Sequence, residues 1–417
     1  MRQDSPVVVV GAGVAGLAAA RRLRMAGIEV ILIEAGSRIG GRAFTVMTEG
    51  WAFDHGASWL HAAHRNPLVP LTDPAELSAS DERDEHVFIG GRPADLAERA
   101  AYHAAWDRIG AVTAPALAAG PDCSLADAMA PMRDDPWAPT VAAWEGAIIA
   151  AADADVLSAR DWHCNSLEGA NLLVRGGLGA FIARRLQTAV RLNTPAIAID
   201  WDHAGGVQVD TPQGPIDAAA CIVTVSTGVL AAGTIRFRPA LPAWLQEAVA
   251  RLPMGLLSKV ALRGGMGFAP EARLVPQMEQ GSAGMVFIAR PDGTDRMLGF
   301  AGGRAAWAVA PDPRAAVAMA QDGLRSMLGR APSGDGAVVT DWGTNPLFRG
   351  SYAYALPGQA GMRAVLADAF LAERLLFAGE ATRTDGLAGT VGGAYLSGID
   401  AAERLLPQVV PGGRGLS

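Results

Sequence analysis

The sequence predicts an α/β protein with more than one domain. The chain has 417 residues, roughly two to three times the length of a usual single domain. Half of its residues are hydrophobic and 18% are charged, which indicates a globular chain that buries a large core. Near the amino terminus a short apolar strand, a glycine-rich turn, a helix and a second strand follow one another. This order is typical of a parallel sheet covered by helices.

The first elements are the two strands and the helix of this unit. Residues 7–10, VVVV, are β-branched and read as a buried parallel strand. Residues 17–27, LAAARRLRMAG, favour a helix that ends at Gly27. The segment EVILIE then gives the second strand, which ends at Glu34.

The turn between the first strand and the helix predicts a dinucleotide site. Gly11, Gly13 and Gly16 fit the G-x-G-x-x-G pattern. The first glycine permits a tight turn, the second lets the backbone approach a pyrophosphate, and the third allows close helix–strand packing. The helix start offers N–H donors to phosphate, and Glu34 is placed to accept the ribose hydroxyls.

A second glycine-rich turn, GSRIGGR, favours FAD over NAD as that dinucleotide. Gly40 and Gly41 let the chain pass close to the phosphates, and Arg42 offers them a planar fork of donors. This turn follows directly after the ribose-binding carboxylate.

The later elements alternate between helical and extended patterns. Residues 104–120 and 144–157 read as helices, and residues 207–225 read as strands joined by a TPQGP turn. Residues 374–380 form another short strand with a glycine turn, and residues 392–406 form a helix whose start is suited to phosphate or flavin oxygens. The whole chain is therefore expected to be a mixture of α and β elements.

Bulk properties exclude several function classes. The net charge of −7 argues against nucleic acid as a partner, because phosphate binding needs a basic surface. No signal peptide and no run of about 18 apolar residues is visible, so a membrane span is not expected. Cys123, Cys164 and Cys221 are widely spaced, which fits a reducing cytoplasm and shows no metal-ligand spacing.

Five segments together resemble the flavin-containing amine oxidases, the family of monoamine and polyamine oxidases. They are DHGASWLHAAHRNPL (54–68), GGLGAFIARRL (176–186), CIVTVSTGVL (221–230), VVTDWGTNPLFRGSYAY (338–354) and the stretch 375–406 that contains GTVGGAYLSGIDAA. The likeness covers nearly the whole chain in the family's order, least well around residues 75–165. It is nearest to the polyamine oxidases.

The resemblance implies a Rossmann-type FAD-binding domain assembled from three segments, with an inserted α+β substrate domain that has a mixed sheet and helices. The segments expected for the FAD-binding domain are 1–70, 173–250 and 363–417. Those expected for the substrate domain are 71–172, mostly helical, and 251–362, which supplies the sheet.

The same resemblance assigns residues to the cofactor. Glu380 is expected to hydrogen-bond the ribityl chain, and Ser351 stands where some relatives carry a cysteine bonded to the flavin, so the FAD is expected to be noncovalent. The cofactor-binding residues implied by the motif and the resemblance are Gly11, Gly13, Gly16, Glu34, Arg42, Gly56, Ala57, Ser58, Trp342, Gly379, Glu380, Thr390 and Val391.

Lys259 is the only lysine among 35 basic residues, and it lies in the apolar strand pattern SKVAL. In the family, a lysine in a G-x-x-x-K-V strand lies near flavin N5 and holds a water there, and GLLSKV matches that pattern. Lysine is a slim point charge that loses its proton when buried, whereas arginine is broad and always protonated. We therefore expect Lys259 to be catalytic.

Two further residues are expected in the catalytic pocket. Tyr352 is expected to form one wall of an aromatic cage in front of the flavin, and His61 to hydrogen-bond an amine or control its entry. Thr390 stands where relatives often have a second aromatic residue, which predicts a wider or more polar pocket. Trp342 is expected either to pack near the flavin or to belong to the core.

Two acidic residues lie in the least matched stretch. Asp161 and Glu168 are expected to be exposed near helix ends, with binding of the distal ammonium groups of a polyamine as the alternative.

The resemblance implies FAD-dependent oxidation of a polyamine-like or other primary or secondary amine. Hydride passes to flavin N5, the imine hydrolyses to an aldehyde and an amine, and O2 becomes H2O2. Alternatives on the same scaffold are an L-amino-acid oxidase, with a cation such as Arg349 for the carboxylate, a desaturase, and a dehydrogenase with another electron acceptor. A flavin-bound scaffold without turnover is a fourth. The expected partners are a small amine and O2, in a monomer or homodimer.

Overall fold

A computed structural model describes residues 5–79, 83–282 and 284–409. The elements form two layered units, one around a mainly parallel sheet and one around a mainly antiparallel sheet. The α-helices span Val14–Met25, Leu96–Ala119, Leu125–Ala128, Ala138–Ala143, Ala159–Cys164, Leu178–Arg185, Thr227–Ala231, Ala243–Ala250, Gly303–Val309, Pro313–Leu328, Met362–Asp368 and Val391–Val409. Short 3₁₀ turns span Val69–Leu71, Pro74–Glu76, Ala130–Met132, Pro291–Gly293 and Glu380–Thr382, and a π-helical segment spans Trp144–Ala150.

The first sheet has five strands in the spatial order Val30–Ile33, Val7–Val10, Ala220–Val223, Leu375–Phe377 and Phe370–Leu371. The first four strands are parallel, and the last is antiparallel. Both faces are buried, which explains why these strands are continuous apolar runs. Strands from the first, third and fifth predicted segments thus pair in one sheet. The segment boundaries themselves stay a prediction.

The helix after the first strand packs tightly on the turn that precedes it. A Cβ atom at Gly16 would lie 1.9 Å from the carbonyl oxygen of Gly11, so no larger residue fits there without moving the backbone. This helix, Val14–Met25, packs against the carboxyl-terminal helix Val391–Val409. Ligands of such sheets bind at the carboxyl ends of the parallel strands.

The second sheet has seven strands in the spatial order Val338–Val339, Leu257–Arg263, Arg296–Gly302, Val286–Ala289, Ala272–Pro276, Asp84–Ile89 and Arg92–Pro93. All neighbours are antiparallel except Ala272–Pro276 and Asp84–Ile89. The face that carries Val260 and Phe287 packs with residues of the helix Pro313–Leu328. The opposite face carries Lys259 and Phe300, which are direct cross-strand partners, and turns toward the first domain.

Smaller sheets accompany the two large ones. A four-stranded sheet contains Gly214–Ala218, Val207–Thr211, Ala198–Asp200 and Arg236–Arg238, and a three-stranded sheet contains Trp59–Leu60, Leu172–Val174 and Leu77–Ala79. Two-stranded sheets pair Thr45–Thr48 with Trp51–Asp54 and Met254–Gly255 with Tyr352–Ala353. The expected α/β class, with a Rossmann-type domain and mixed sheets, is confirmed.

Two predicted helices differ from the observed ones. The helix expected over 104–120 begins at Leu96, because Asp95 and Glu98 form a reciprocal capping box. The helix expected over 144–157 is π-helical and ends at Ala150, where Ala151 adopts the left-handed conformation with φ 56°. No helix in the described part of the chain combines the length and the apolar character needed to cross a bilayer.

Candidate active site

A cavity of about 690 Å³ runs from the carboxyl ends of the parallel strands to the Lys259 face of the seven-stranded sheet. All but one of the sequence-predicted site residues line it, although they are spread over most of the chain. These lining residues are Gly11, Gly13, Glu34, Arg42, Gly56, Ala57, Ser58, His61, Lys259, Trp342, Tyr352, Gly379, Glu380, Thr390 and Val391. Gly16 is absent from the lining, in keeping with its packing role behind the turn.

The end of the cavity at the parallel sheet is built from the two glycine-rich turns. Glu34 accepts hydrogen bonds from the backbone N–H of Ala12 and of Gly36, both at 2.7 Å. Its carboxylate therefore holds both turns in place at the sheet edge. Gly13 pairs with Gly40 in an isolated parallel bridge, which brings the two turns side by side.

Arg42 and Glu380 form an ion pair in the cavity wall. Arg42 Nη1 donates to Glu380 Oε1 at 2.8 Å and to the carbonyl oxygen of Ser351 at 2.7 Å. The N–H of Ala353 also donates to Glu380 Oε1, at 3.1 Å. Glu380 Oε2 is buried and has no protein hydrogen-bond partner. Because buried carboxylate oxygens are normally bonded, this atom is suited to a donor on a bound ligand.

The segment Gly56–Ala57–Ser58 runs along one wall. A Cβ atom at Gly56 would lie 1.7 Å from the carbonyl oxygen of Arg42 and 3.0 Å from Trp342 Cζ2, so glycine is required for this close approach. Trp342 is 4% exposed, and its indole N–H donates to the carbonyl oxygen of His55 at 2.8 Å. Trp342 therefore belongs to the core and also lines the cavity.

Lys259 is buried at the junction of the two domains. Its Nζ donates to the carbonyl oxygens of Asp54 and Gly56, at 2.8 and 2.6 Å, and to Ser58 Oγ at 2.7 Å. The three donors of an ammonium group are all used. The charge also lies 5.7 Å from the Trp59 ring centroid, within cation–π range. Lys259 thus fastens the 54–58 segment to the seven-stranded sheet.

Burial lowers the pKa of Lys259 to about 8, and the Asp54 carboxylate opposes this shift. In the unfolded chain the lysine pKa is about 10.4. Between these values the unfolded state binds more protons than the folded state, so the stability contribution of Lys259 rises with pH.

We expect the free energy of unfolding of the wild type, relative to Lys259→Met, to increase by about 1 kcal/mol per pH unit between pH ~8 and ~10. Urea denaturation of both proteins across this range measures the difference. A difference that does not change with pH would show that burial does not lower the pKa of Lys259 in the folded protein.

Tyr352 lines the cavity and is held in place by an irregular helix. Its hydroxyl donates to the carbonyl oxygen of Ile148 at 3.2 Å, within the π-helical segment Trp144–Ala150. Such segments often mark functional sites. Burial raises the pKa of Tyr352 far above its ordinary value, so the hydroxyl stays protonated and keeps donating.

His61 and Thr390 also use their polar groups on the protein. His61 Nδ1 lies 2.8 Å from Asn171 Oδ1, and burial lowers the pKa of His61, which favours the neutral ring. Thr390 Oγ1 accepts from the N–H of Gly393 at 2.9 Å and donates to the carbonyl oxygen of Leu387 at 2.7 Å. Thr390 therefore caps the carboxyl-terminal helix, a role that an aromatic residue could not fill.

The expectation that Asp161 is exposed was wrong. Asp161 is 4% exposed and accepts both prongs of the Arg363 guanidinium, at 2.6 and 2.8 Å. The local helix start is present, but a distant arginine pairs with the carboxylate and covers it. Glu168 is exposed, in a loop after the helix rather than at its end.

Sequence reasoning missed several cavity residues. His55 and Trp59 lie within the segment 54–68 that carries the family resemblance, so they could have been predicted from it. Phe300 could be found only through its pairing with Lys259. Arg83 and Arg273 also line the cavity, but nothing in their local sequence separates them from the other arginines.

Comparison with known families identifies this arrangement. A model described as "Flavin containing amine oxidoreductase" matches residues 123–406, and one described as "NAD(P)-binding Rossmann-like domain" matches residues 9–70. The chain belongs to the flavin-containing amine oxidoreductase family. The predicted family is thus confirmed, and with it an enzyme that carries out FAD-dependent amine oxidation.

Relatives of this amine oxidoreductase include two plant proteins. It is 30% identical to "Polyamine oxidase 4" of Oryza sativa subsp. japonica, over 97% of this chain and 89% of that protein. It is 29% identical to "Lysine-specific histone demethylase 1 homolog 2" of Arabidopsis thaliana, over 97% of this chain and 58% of that protein. The fold matches wild-type putrescine oxidase bound to putrescine, with a TM-score of 0.77 and 20% identity over 96% of this chain and 99% of that one.

The residues present fit FAD. Glu34 at the strand end suits a ribose, the paired glycine turns with Arg42 suit the pyrophosphate, and the unpartnered Glu380 Oε2 suits a hydroxyl donor. Among the described residues, no group of three or more His, Cys, Asp or Glu side chains is placed to hold a metal ion.

Proposed function

We propose that this amine oxidoreductase is an oxidase that acts on a primary or secondary amine in its neutral form and uses dioxygen as electron acceptor. The observation that carries the proposal is Lys259, which is buried at the cavity wall and bonded to the segment 54–58, part of which lines the cavity. Bound FAD supplies the acceptor for a hydride from the carbon next to nitrogen, and its reoxidation by O2 gives H2O2.

The chain's own residues then have separate roles. Arg42, Glu34 and Glu380 hold the cofactor, and Tyr352 with Trp59 and Phe300 gives an aromatic and apolar surface that orients the amine and excludes water. Lys259 holds or exchanges a proton at Nζ. Hydrolysis of the released imine yields an aldehyde and an amine.

Mixing the yellow enzyme with amines without oxygen tests this proposal. We expect bleaching of the flavin, and in air one H2O2 per amine consumed, with the bleaching rate rising with pH through the pKa of the amine. Bleaching without peroxide would favour a dehydrogenase. No bleaching by any amine would favour a scaffold without turnover and would refute the proposal.

The FAD is proposed to be noncovalent because of Ser351. Its hydroxyl donates to the carbonyl oxygen of Leu257 at 3.0 Å and accepts from the N–H of Leu257 at 2.9 Å. The hydroxyl is therefore hydrogen-bonded to the backbone of the strand Leu257–Arg263. We expect acid precipitation to release all the FAD into the supernatant. Yellow colour that stays in the pellet would show a covalent bond.

The amino-acid oxidase that relies on Arg349 receives no support. Arg349 is outside the cavity lining, and its Nε is buried without a hydrogen-bond partner. A desaturase would need a long apolar tunnel, whereas arginines line the far end of this cavity. A cytoplasmic location, supported by three unpaired thiols, and a monomeric or homodimeric state remain proposals.

A further inference from the structure

The cavity-facing side of the seven-stranded sheet follows one continuous register. Lys259 lies opposite Phe300, and Phe300 lies opposite Val286. Ile288, two residues further along, lies opposite Arg273. All five side chains line the cavity, because cross-strand partners and residues two apart share a face. Arg273 is thus three strands away from Lys259 on the same wall.

The register sets the distance between the two cations. Three strand spacings of about 4.8 Å and an offset of two residues place the backbones of Lys259 and Arg273 about 15 Å apart. An α-carboxylate lies next to the oxidised carbon and cannot span this wall. A group bound by Arg273 must belong to the remote end of a substrate.

Among the described residues, the charged side chains that line this remote end of the cavity are Arg83 and Arg273. Arg273 contacts Trp144, with Cζ 5.3 Å from the ring centroid, and its Nε lies 3.4 Å from Glu85 Oε1. Arg83 Nε is 2.8 Å from Glu271 Oε1. Both arginines line the cavity, while neither glutamate is among its lining residues. Glu85 is the register partner of Arg273 on the neighbouring strand, so it lies beside Arg273 on the same face of the sheet but outside the cavity lining.

The carboxylates that do line the cavity are already engaged. Among the described residues they are Glu34, Asp161 and Glu380. Glu34 binds backbone N–H groups, Asp161 binds Arg363, and Glu380 binds Arg42. The distal ammonium of a diamine would therefore meet like charge at the sheet end, which is unfavourable. A carboxylate there would meet planar guanidinium donors, with which it pairs well.

We propose that Arg273 binds an anionic group at the far end of the substrate, so that the preferred substrate is an amine that carries a carboxylate at its other end. The inference rests on the proposed amine oxidase function and narrows it to ω-amino carboxylates. Stacking on Trp144 orients the Arg273 guanidinium for this contact. Arg273 is a specificity-determining residue, and Lys259 remains at the reacting end.

The test compares three amines at each chain length: an ω-amino acid, an alkylamine and a diamine. The ω-amino acids run from γ-aminobutyrate to ω-aminocaprylate, and each is matched by the alkylamine and the diamine of the same chain length. At the best length we expect kcat/KM for the ω-amino acid to exceed that for the diamine by about tenfold or more, since charge-assisted bonds discriminate at that level. In Arg273→Gln the ratio of ω-amino acid to alkylamine falls about tenfold, mainly through KM. Arg273→Lys restores part of it.

Arg314→Gln is the matched control, because the Arg314 side chain is 94% exposed and is not among the cavity-lining residues. Its ratio of ω-amino acid to alkylamine should equal that of the wild type. A second readout is the Kd of an alkyl monocarboxylate, measured from its perturbation of the flavin spectrum, which should rise about tenfold in Arg273→Gln. A wild type that prefers the diamine would overturn this inference but not the proposed amine oxidase function. An unchanged ratio of ω-amino acid to alkylamine in Arg273→Gln would do the same. If none of the three kinds of amine reduces the flavin at any length, the proposed function fails with it.

Discussion

Arg363→Met is expected to lower the free energy of unfolding by about 3–5 kcal/mol. Arg363 and Asp161 side chains are 4% and 5% exposed, and two guanidinium nitrogens contact the two carboxylate oxygens at 2.6 and 2.8 Å. Removing the cation leaves Asp161 charged and buried. Arg363 also donates to the carbonyl oxygens of Ala353 and Ala381, so the strand of Tyr352 and the turn of Glu380 lose a common support.

Urea denaturation of the flavin-loaded proteins measures the loss, and Arg325→Met is the control. Arg325 also forms an ion pair, with Asp322 at 2.7 Å, but both side chains are more than half exposed, so its loss should cost less than about 1 kcal/mol. The double variant Asp161→Leu/Arg363→Met should recover much of the stability, because no buried charge remains. A loss in Arg363→Met as small as in the control would contradict the stabilising role assigned to the buried pair of Arg363 and Asp161.

Much of the cofactor end was predictable from sequence because its geometry is local. The turn of Gly11, Gly13 and Gly16 and the carboxylate of Glu34 lie within one β–α–β unit, and each residue type is fixed by a backbone approach or a strand end. Local pattern and fold therefore agree at this end. The strand that carries Lys259 was also recognisable, because a lone lysine in an apolar strand is costly unless it is bonded.

The other end of the cavity depends on contacts that sequence does not encode locally. Arg363 and Asp161 are 202 residues apart, so the helix-start position of Asp161 suggested exposure while the tertiary fold buried it. Arg273 reaches the cavity through the register of three neighbouring strands. The position of the Tyr352 hydroxyl depends on the Ile148 carbonyl in a π-helical turn. The apolar periodicity of that segment predicts an ordinary helix instead. Each of these requires the strand order and register, which are set by the whole chain.

Lys259→Met is expected to slow flavin reduction by amine, or flavin reoxidation by O2, about tenfold or more while the protein keeps its bound flavin. Methionine matches the length of the lysine stem and fills the same space, but it cannot donate to Asp54, Gly56 or Ser58, and it holds no proton. The loss of a positioned proton donor or acceptor typically costs 10²–10⁴-fold, so about tenfold is a lower bound. Anaerobic stopped-flow reduction and a separate oxygen-mixing experiment assign the effect to one half-reaction.

The contacts of Lys259 separate a chemical role from a structural one. If Nζ only fastens the 54–58 segment, Lys259→Met should shift the flavin absorption spectrum and weaken FAD retention, with both rate constants kept in the fraction that stays loaded. If Nζ acts on the reaction, the spectrum stays close to that of the wild type and a rate constant falls. Lys259→Arg keeps the charge but brings a broad guanidinium against Trp59 and Phe300, so it should fail to restore the rate. Both rate constants of the control Arg325→Met should match those of the wild type. If the rate constants of Lys259→Met also match those of the wild type, Lys259 has no role in the reaction.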